Sequence, residues 1–88
     1  MTEFLVELYV SRIDGAAVES GAESARLAAE QLILEGTPVR YVRSIFVPED
    51  ETCFHLYEAA RLEDVAEAAR RASLAFERVE RIAQPIGP

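Results

Sequence analysis

Few residues in this chain of 88 could carry chemistry. There is one histidine, His55, and one cysteine, Cys53, and they lie two positions apart. Imidazole can ligate nickel, copper or zinc, and it can also act as a general acid or base. One histidine and one cysteine are too few for a closed four-ligand metal site. A metal would therefore have to be shared between chains, or be completed by Glu7, water or an anion.

Each of these residues also has a purely structural interpretation, which the sequence leaves open. His55 could hydrogen-bond Glu7 and so satisfy a partly buried sheet position. Cys53 could serve as a small hydrophobic residue, because a nucleophilic cysteine–histidine pair needs a specific geometry and an orienting group. The acidic run 49–51 lacks the ligand spacing of a calcium loop and is expected to be a solvated turn.

Composition excludes several classes of protein. The net charge is −7 and all nine basic residues are arginine, so a phosphate backbone would be repelled and nucleic acid is not expected as a partner. A single cysteine cannot form an internal disulfide. No apolar run approaches the ~20 residues of a membrane span, and the N-terminus lacks the pattern of a signal peptide. The cytoplasm is the expected location, with no membrane partner.

The first half of the chain predicts a strand followed by a helix. Residues 3–10 alternate in the period-2 pattern of a half-buried strand, with Phe4, Val6, Leu8 and Val10 on one side. The helix is predicted to end near Glu35, since Gly36 suits a left-handed C-terminal position and Pro38 prevents continuation. Its start is open between a capping box at Ser20 and an earlier cap at Asp14.

The second half predicts a hairpin, a helix and a short strand. The runs 39–47 and 52–59 are rich in β-branched and aromatic residues and flank a turn at 48–51. A helix is predicted over 62–73, with acidic residues in its first turn and Arg70 and Arg71 in its last. A final strand is predicted at 78–83, ended by Pro85.

The element order is strand, helix, strand, strand, helix, strand. With right-handed crossovers, this order predicts a single α+β domain over residues 1–88. The expected fold is a ferredoxin-like βαββαβ sandwich, a four-stranded antiparallel sheet with both helices on one face. The first and third strands are expected to be central.

The sheet face without helices is the predicted site. Leu5, Glu7 and Tyr9 share one side of the first strand. On the third strand, Phe54 and Leu56 suit the helix-covered side, which would place Cys53, His55 and Tyr57 on the open side. The register of the second strand is ambiguous, so Arg43 is a conditional member. The predicted ligand-binding set is Glu7, Tyr9, Arg43, Cys53, His55 and Tyr57. An open face bearing Leu5, Tyr9, Cys53 and Tyr57 is more apolar than a monomer usually exposes, which predicts a homodimer that buries this face.

Four segments resemble a small bacterial family of unknown function that includes a nickel-binding ferredoxin-like protein. They are the hairpin runs VRYVRSIFV (39–47) and PEDETCFHLYEA (48–59), the opening FLVE (4–7) and AARRA (68–72). Leu8 stands where the family commonly has a basic residue, and Ser73 where a glycine often ends the second helix. The resemblance implies the ferredoxin-like fold, a dimer or higher assembly, and binding of nickel or another divalent transition metal through histidine, for which this chain offers only His55.

Together these patterns predict a homo-oligomeric domain that binds a small ligand or a divalent metal such as nickel. One alternative is an enzyme of the dimeric α+β barrel type, with His55, Glu7, Tyr9 and Arg43 lining a pocket for a small organic substrate and His55 as base or proton shuttle. Another is a purely structural interaction module.

Overall fold

A twisted four-stranded sheet forms one layer of the domain and two helices form the other. A computed structural model describes residues 1–83. In chain order the elements are β1 (Thr2–Tyr9), α1 (Gly15–Leu34), β2 (Val39–Val47), a 3-10 turn (Pro48–Asp50), β3 (Thr52–Ala59), α2 (Leu62–Arg71) and β4 (Phe76–Arg81). No helix in this part of the chain is long and apolar enough to cross a membrane.

The strand order across the sheet is β2-β3-β1-β4, and every neighbouring pair is antiparallel. This is the ferredoxin-like α+β fold that the sequence predicts, with β1 and β3 at the centre. Both helices contribute to the main core against one face of the sheet, beside a smaller cluster around Leu8, Val10 and Cys53. The buried members of the main core are largely small or β-branched, so the helices approach the strands closely: Phe4, Val6, Ala25, Ala29, Leu32, Val39, Tyr57, Ala59, Val65, Ala68 and Ala69.

Helix α1 begins at the earlier of its two predicted caps. The Asp14 side chain accepts a hydrogen bond of 3.3 Å from the backbone N–H of Ala17, which satisfies one of the free donors of the first turn. At the other end Gly36 adopts a left-handed φ of 96°, and its N–H donates to the Ile33 carbonyl over 3.0 Å.

The last two elements differ from their predicted bounds. Helix α2 ends at Arg71 rather than Ser73, because Ser73 takes a left-handed φ of 58° that no α-helix continues. Strand β4 begins at Phe76, two residues earlier than predicted, and places Phe76 and Val79 against the core. Pro85, predicted to stop this strand, lies outside the described residues.

A bulge in β2 decides which of its side chains face the helices. Tyr41 pairs with Tyr57 and Arg43 pairs with Leu56, so Val42 is the extra, unpaired residue. Val39 and Tyr41 precede the bulge on the helix side, and Ser44 follows it on that side, opposite His55. A continuous alternation would have put Arg43 under the helices, whereas the bulge sends it to the opposite face.

We predict that Ser73→Gly raises the free energy of unfolding by about 0.5 to 1 kcal/mol, because glycine adopts the left-handed C-terminal position without a Cβ penalty. The two hydrogen bonds that close the helix, from Ser73 N–H to the Arg70 carbonyl (3.0 Å) and from Leu74 N–H to the Ala69 carbonyl (3.1 Å), use only backbone atoms and are retained. Urea unfolding followed by circular dichroism measures the change. The reverse substitution after the C-terminus of α1, Gly36→Ser, should lower the free energy of unfolding. A Ser73→Gly protein that is less stable than the wild type would contradict this description.

Candidate functional site

Strand β3 presents its polar residues to the helices, which corrects the predicted assignment of its faces. Cys53, His55 and Tyr57 are each at most 1% exposed. They pair directly with Leu8, Val6 and Phe4 of β1, which are core residues. Residues directly opposite in an antiparallel pair lie on the same face, so Phe54 and Leu56 lie on the face without helices.

The predicted inward position of Phe54 and Leu56 rested on their hydrophobicity. Both sides of β3 are nevertheless apolar enough to be buried, so a difference in hydrophobicity does not decide which side faces the helices. Pairing with β1 does choose, because only Phe4, Val6 and Leu8 on that strand can face the helices. Although Leu56 lies on the face without helices, it is only 7% exposed, because its neighbours on the paired strands cover it.

A polar cluster lies between α1 and the sheet. We call it the enclosed cluster and define it as Tyr41, Ser44, Cys53, His55 and Tyr57. The Ser44 hydroxyl connects two of the other members, being 2.6 Å from His55 Nδ1 and 2.6 Å from the Tyr41 hydroxyl. The other imidazole nitrogen, Nε2, has only a weak contact of 3.9 Å with Cys53 Sγ. An imidazolium donates from both nitrogens and needs two good acceptors, so this geometry suits the neutral ring.

Burial controls the acid–base properties of the enclosed cluster. Desolvation lowers the pKa of His55 from 6.5 to about 4, so the ring is uncharged at neutral pH. Desolvation also raises the pKa of the Cys53 thiol, which is the opposite of what a thiolate nucleophile requires. We therefore assign the Cys53–His55 pair a packing role and no nucleophilic one.

Tyr57 is the least satisfied member of the enclosed cluster. Its side chain is fully buried, and its hydroxyl has no hydrogen-bond partner within residues 1–83. Burial, and then the nearby Tyr41 phenol, raise its pKa, so it is a neutral donor and acceptor at any physiological pH. The Tyr41 ring meets the Tyr57 ring edge-on at 5.9 Å between centroids and lies 6.3 Å from the His55 ring.

The opposite side of the sheet forms what we call the open face. Its register produces two rows of side chains that cross all four strands. One row reads Glu80, Leu5, Leu56 and Arg43, and the next reads Arg78, Glu7, Phe54 and Ile45. The first row has apolar residues between two charged ends, whereas the second has its charged residues on β4 and β1 and its apolar residues on β3 and β2. Arg43 has no ion pair with any other residue of 1–83, whereas Glu7 and Arg78 pair at 2.8 Å.

The six predicted ligand-binding residues therefore separate into two groups. Glu7, Tyr9 and Arg43 lie on the open face, whereas Cys53, His55 and Tyr57 belong to the enclosed cluster. The predicted contact between Glu7 and His55 is wrong, because the sheet separates them. Tyr9 is 61% exposed, and its hydroxyl donates to Glu51 Oε2 over 3.3 Å.

Several residues at these two places were not singled out from the sequence as site residues. They are Tyr41 and Ser44 in the enclosed cluster, and Ile45, Phe54, Leu56, Arg78 and Glu80 on the open face. These residues could have been identified from the register in which β3 pairs with β1, and the lengths of the strands between their turns indicate that register. The position of Ser44 depends in addition on the bulge, which has no clear sequence signature.

A concavity of about 510 Å³ lies on the open face beside β1, β3 and β4. Its lining combines an apolar part with both signs of charge and comprises Leu5, Glu7, Asp50, Thr52, Phe54, Arg78 and Glu80. This composition suits a small ligand with an apolar body and polar ends.

His55 has few potential metal ligands around it in the part of the chain that the structure describes. Nδ1 is engaged by Ser44, and Nε2 lies 3.9 Å from the Cys53 thiol. Within residues 1–83, no three side chains of His, Cys, Asp or Glu lie close enough together to hold a metal ion. The nickel prediction, which rests on the family resemblance, is untested by these distances and stays a prediction.

The fold and these two surfaces define a ferredoxin-like α+β domain, and a solved structure has the same architecture. SCO4226 from Streptomyces coelicolor A3(2), known from a crystal structure, is similar with a TM-score of 0.72 and 19% sequence identity. The alignment covers 94% of this chain and 98% of that one. At this identity the similarity establishes the fold alone. No family model matches the chain, and no curated protein matches it.

We predict that the free energy of unfolding falls as the pH falls from 6.5 to 4.5. The folded-state pKa of His55, about 4, lies below its usual 6.5, so the unfolded chain binds a proton in this interval and the folded chain does not. The loss by pH 4.5 is about 2 to 3 kcal/mol. Urea unfolding at a series of pH values measures it.

His55→Gln is the control, because glutamine can hydrogen-bond Ser44 but does not titrate. Its absolute stability is not the readout; the dependence on pH between 6.5 and 4.5 should flatten. Carboxylates such as Glu35 and Glu67, whose pKa values are lowered by hydrogen bonds from Arg71, also lose stabilisation as the pH falls towards 4.5; His55→Gln retains that contribution, so the difference between the two proteins isolates His55. A wild-type protein with constant stability between pH 7 and pH 5 would show that His55 is not enclosed.

Proposed function

We propose that this chain is a non-catalytic binding module that forms a homodimer through its open face and holds a small ligand at that interface. The observation that supports the proposal is the pair of side-chain rows on the open face. Leu5, Leu56, Phe54 and Ile45 form a continuous apolar patch across three strands, and charged residues flank it. A patch of this kind rimmed by polar residues is typical of a protein interaction surface.

Charge complementarity favours a second copy of the same chain as the partner. One row has the negative Glu80 on β4 and the positive Arg43 on β2, at opposite edges of the sheet. A two-fold axis parallel to the strands would place β2 of one copy over β4 of the other. Arg43 of each copy would then meet Glu80 of the second copy, and Leu5 of each copy would meet Leu56 of the other.

The ligand site in this proposal is the concavity beside Glu7 and Arg78. A second sheet placed on the open face would cover the concavity and exclude water from it. Leu5 and Phe54 would then contact the apolar body of an organic ligand, while Arg78 and the carboxylates would bind its polar ends. The salt bridge between Glu7 and Arg78 holds both side chains at this wall.

A divalent cation is the second candidate ligand, and one observation favours it. Glu7, Asp50 and Glu80 all line the concavity, but within residues 1–83 they do not lie close enough together to hold an ion, so carboxylates of the second copy would have to complete the site. Oxygen donors of this kind suit hard cations better than nickel. Nickel binding through His55 would instead require the enclosed ring to become accessible.

The alternative of an α+β barrel-type enzyme has less support. Such an enzyme would place its substrate between sheet and helices, where His55 lies. With a pKa of about 4, His55 would be a weak general base at neutral pH, and within residues 1–83 no carboxylate hydrogen-bonds it to strengthen it. Binding is therefore the function that we propose.

We predict that Arg43→Glu and Glu80→Arg each weaken dimerisation at least about tenfold, because each places like charges opposite one another in the proposed interface. The double variant Arg43→Glu with Glu80→Arg restores opposite charges and should recover most of the lost affinity. Sedimentation velocity over a range of protein concentrations gives the dissociation constant of each variant. A matched control is Arg12→Glu, which changes the charge in the loop before α1 and should leave dimerisation nearly unchanged.

Two outcomes would overturn the dimer proposal. One is a wild-type protein that sediments as a monomer at every concentration tested. The other is a dimer in which the double charge reversal is no better than either single variant, which would mean that a different surface mediates pairing.

We predict that nickel uptake by the dimer, followed by native mass spectrometry, depends on Glu7 and not on His55. Glu7→Gln removes a carboxylate of the concavity with little change in size and should lower the occupancy, whereas His55→Gln should leave it unchanged. Uptake that is lost only in His55→Gln would contradict the site that we propose and support the nickel prediction in its original form. A dimer that takes up no nickel would leave the organic ligand as the candidate.

A further inference from the structure

The concavity on the open face has the size and the mixed lining of a ligand site. Its volume of about 510 Å³ lies within the roughly 300 to 1,000 Å³ that is usual for small-molecule pockets. Its apolar residues, Leu5 and Phe54, are diagonal neighbours on the paired strands β1 and β3. The remaining lining residues are polar or charged. An apolar body is therefore expected over Leu5 and Phe54, and the charges determine which polar group it carries.

The charges around the concavity do not balance. Its lining contains three carboxylates and one guanidinium, which gives a net charge of −2. Arg78 donates from Nε to Glu7 over 2.8 Å, and another of its nitrogens lies 3.1 Å from Glu80. Two carboxylates thus share this one positive charge, and Asp50 has no ion pair with any other residue of 1–83. The concavity lacks positive charge, and a bound ligand is the component that could supply it.

We propose that the ligand of this concavity is an organic cation, with a protonated amine attached to an apolar body. This assignment rests on the proposed function, because it specifies the ligand that the dimer would hold. An anionic ligand would have to compete with Glu7 and Glu80 for Arg78, and it would be repelled by the carboxylates that it displaced. An ammonium group instead supplies the missing charge, and the net charge of −7 raises the concentration of cations around the chain.

Phe54 is a second feature that favours a cation. The face of an aromatic ring attracts an ammonium group within about 6 Å of its centre, and this attraction is stronger where water is excluded. Phe54 is half-buried in the wall of the concavity, directly opposite Glu7 in the pairing of β3 with β1. A second sheet over the open face would enclose the ring and the carboxylates together. An ammonium group held there would be paired as it leaves water, which offsets the cost of burying its charge.

The apolar residues distinguish an organic cation from a metal ion. A bare ion would make no use of Leu5 and Phe54, whereas the body of an organic amine would cover both. In the described part of the chain, no three acidic, histidine or cysteine side chains are close enough together to hold a metal ion. A single ammonium group does not require that convergence, because one or two carboxylates are enough to pair with it.

The test compares three probes that share one apolar body and differ in charge. They are cyclohexylmethylamine, a cation at neutral pH, the neutral cyclohexylmethanol and the anion cyclohexanecarboxylate. Each is titrated into the isotopically labelled full chain, and the backbone amide resonances of Leu5, Phe54 and Arg78 are followed by NMR. We expect saturable shifts with the amine, at least about tenfold weaker binding of the alcohol and no saturable binding of the carboxylate. Equal binding of the amine and either other probe, or no saturable shift up to about 10 mM amine, would overturn the proposal.

Two substitutions in the 3-10 turn separate contact with the ligand from the overall charge of the chain. Asp50→Asn removes a carboxylate that lines the concavity, and it should weaken amine binding about threefold or more. Glu49→Gln is the matched control, because it removes the same charge one residue away and Glu49 is not part of the lining. Amine binding to Glu49→Gln should stay close to that of the wild type. Equal losses in the two variants would mean that net charge alone attracts the amine, and would overturn the proposal.

Sedimentation velocity on the same samples distinguishes the ligand class from the dimer. If the amine binds at the dimer interface, saturating amine should lower the dissociation constant of the dimer at least about tenfold. A dimer that shows no preference for the amine would overturn the ligand class and leave the dimer intact. A monomer that binds the amine in an Asp50-dependent way would overturn the dimer and support the ligand class. A monomer that binds no probe would overturn both.

Discussion

The antiparallel pairing of β3 with β1 is the constraint on which the rest of this structure depends. On β1, only Phe4, Val6 and Leu8 can face the helices, because the alternate residues include Glu3 and Glu7. The register places Tyr57, His55 and Cys53 directly opposite these three. Once that pairing forms, the single histidine must lie under α1, and Phe54 and Leu56 must lie on the other side. A shift of one residue would exchange the two sets completely.

The bulge at Val42 decides which side chains of β2 join the enclosed cluster and which join the open face. Without it, Ser44 would lie on the open face, and His55 Nδ1 would be buried without a partner, which is costly for a polar atom in the core. With it, Ser44 meets His55, and Arg43 takes the outer position beside Leu56. One extra residue in an edge strand thus supplies the hydrogen bond that makes an enclosed imidazole tolerable. The same residue shift provides the cation for the charge pattern on the open face.

Much of this architecture could be predicted from the sequence. Three kinds of signal carry this prediction: the alternation of apolar residues, the helix caps, and the helix stop at Gly36 and Pro38. They predict the order of elements, the hairpin with its turn at 48–51 and the central position of β1 and β3. These signals are local, and each is carried by a few neighbouring residues. Local signals of this kind are why the ferredoxin-like fold could be predicted correctly. The similarity to the structure of SCO4226 supports the same fold independently.

The candidate site was less predictable because it depends on non-local pairing. Phe54 and Leu56 are more hydrophobic than Cys53 and His55, so a rule based on hydrophobicity alone turns β3 the wrong way. What outweighs that difference is the fixed orientation of β1, together with the hydrogen bond between Ser44 and His55 that makes a buried histidine acceptable. The start of β4 was missed for a similar reason, since Phe76 is assigned to the strand by its pairing with Leu8 across an irregular register.

The assignment of residues to the enclosed cluster and to the open face depends on the position of His55, which can be tested directly. Because the chain has one histidine, a proton NMR titration of the imidazole ring reports a single pKa without assignment. The structure predicts a midpoint near 4, with the ring neutral at pH 6 and its signals insensitive to pH above that value. A midpoint near the ordinary 6.5 would place His55 in water on the open face, and it would contradict the orientation of β3 and the division of the site into two surfaces.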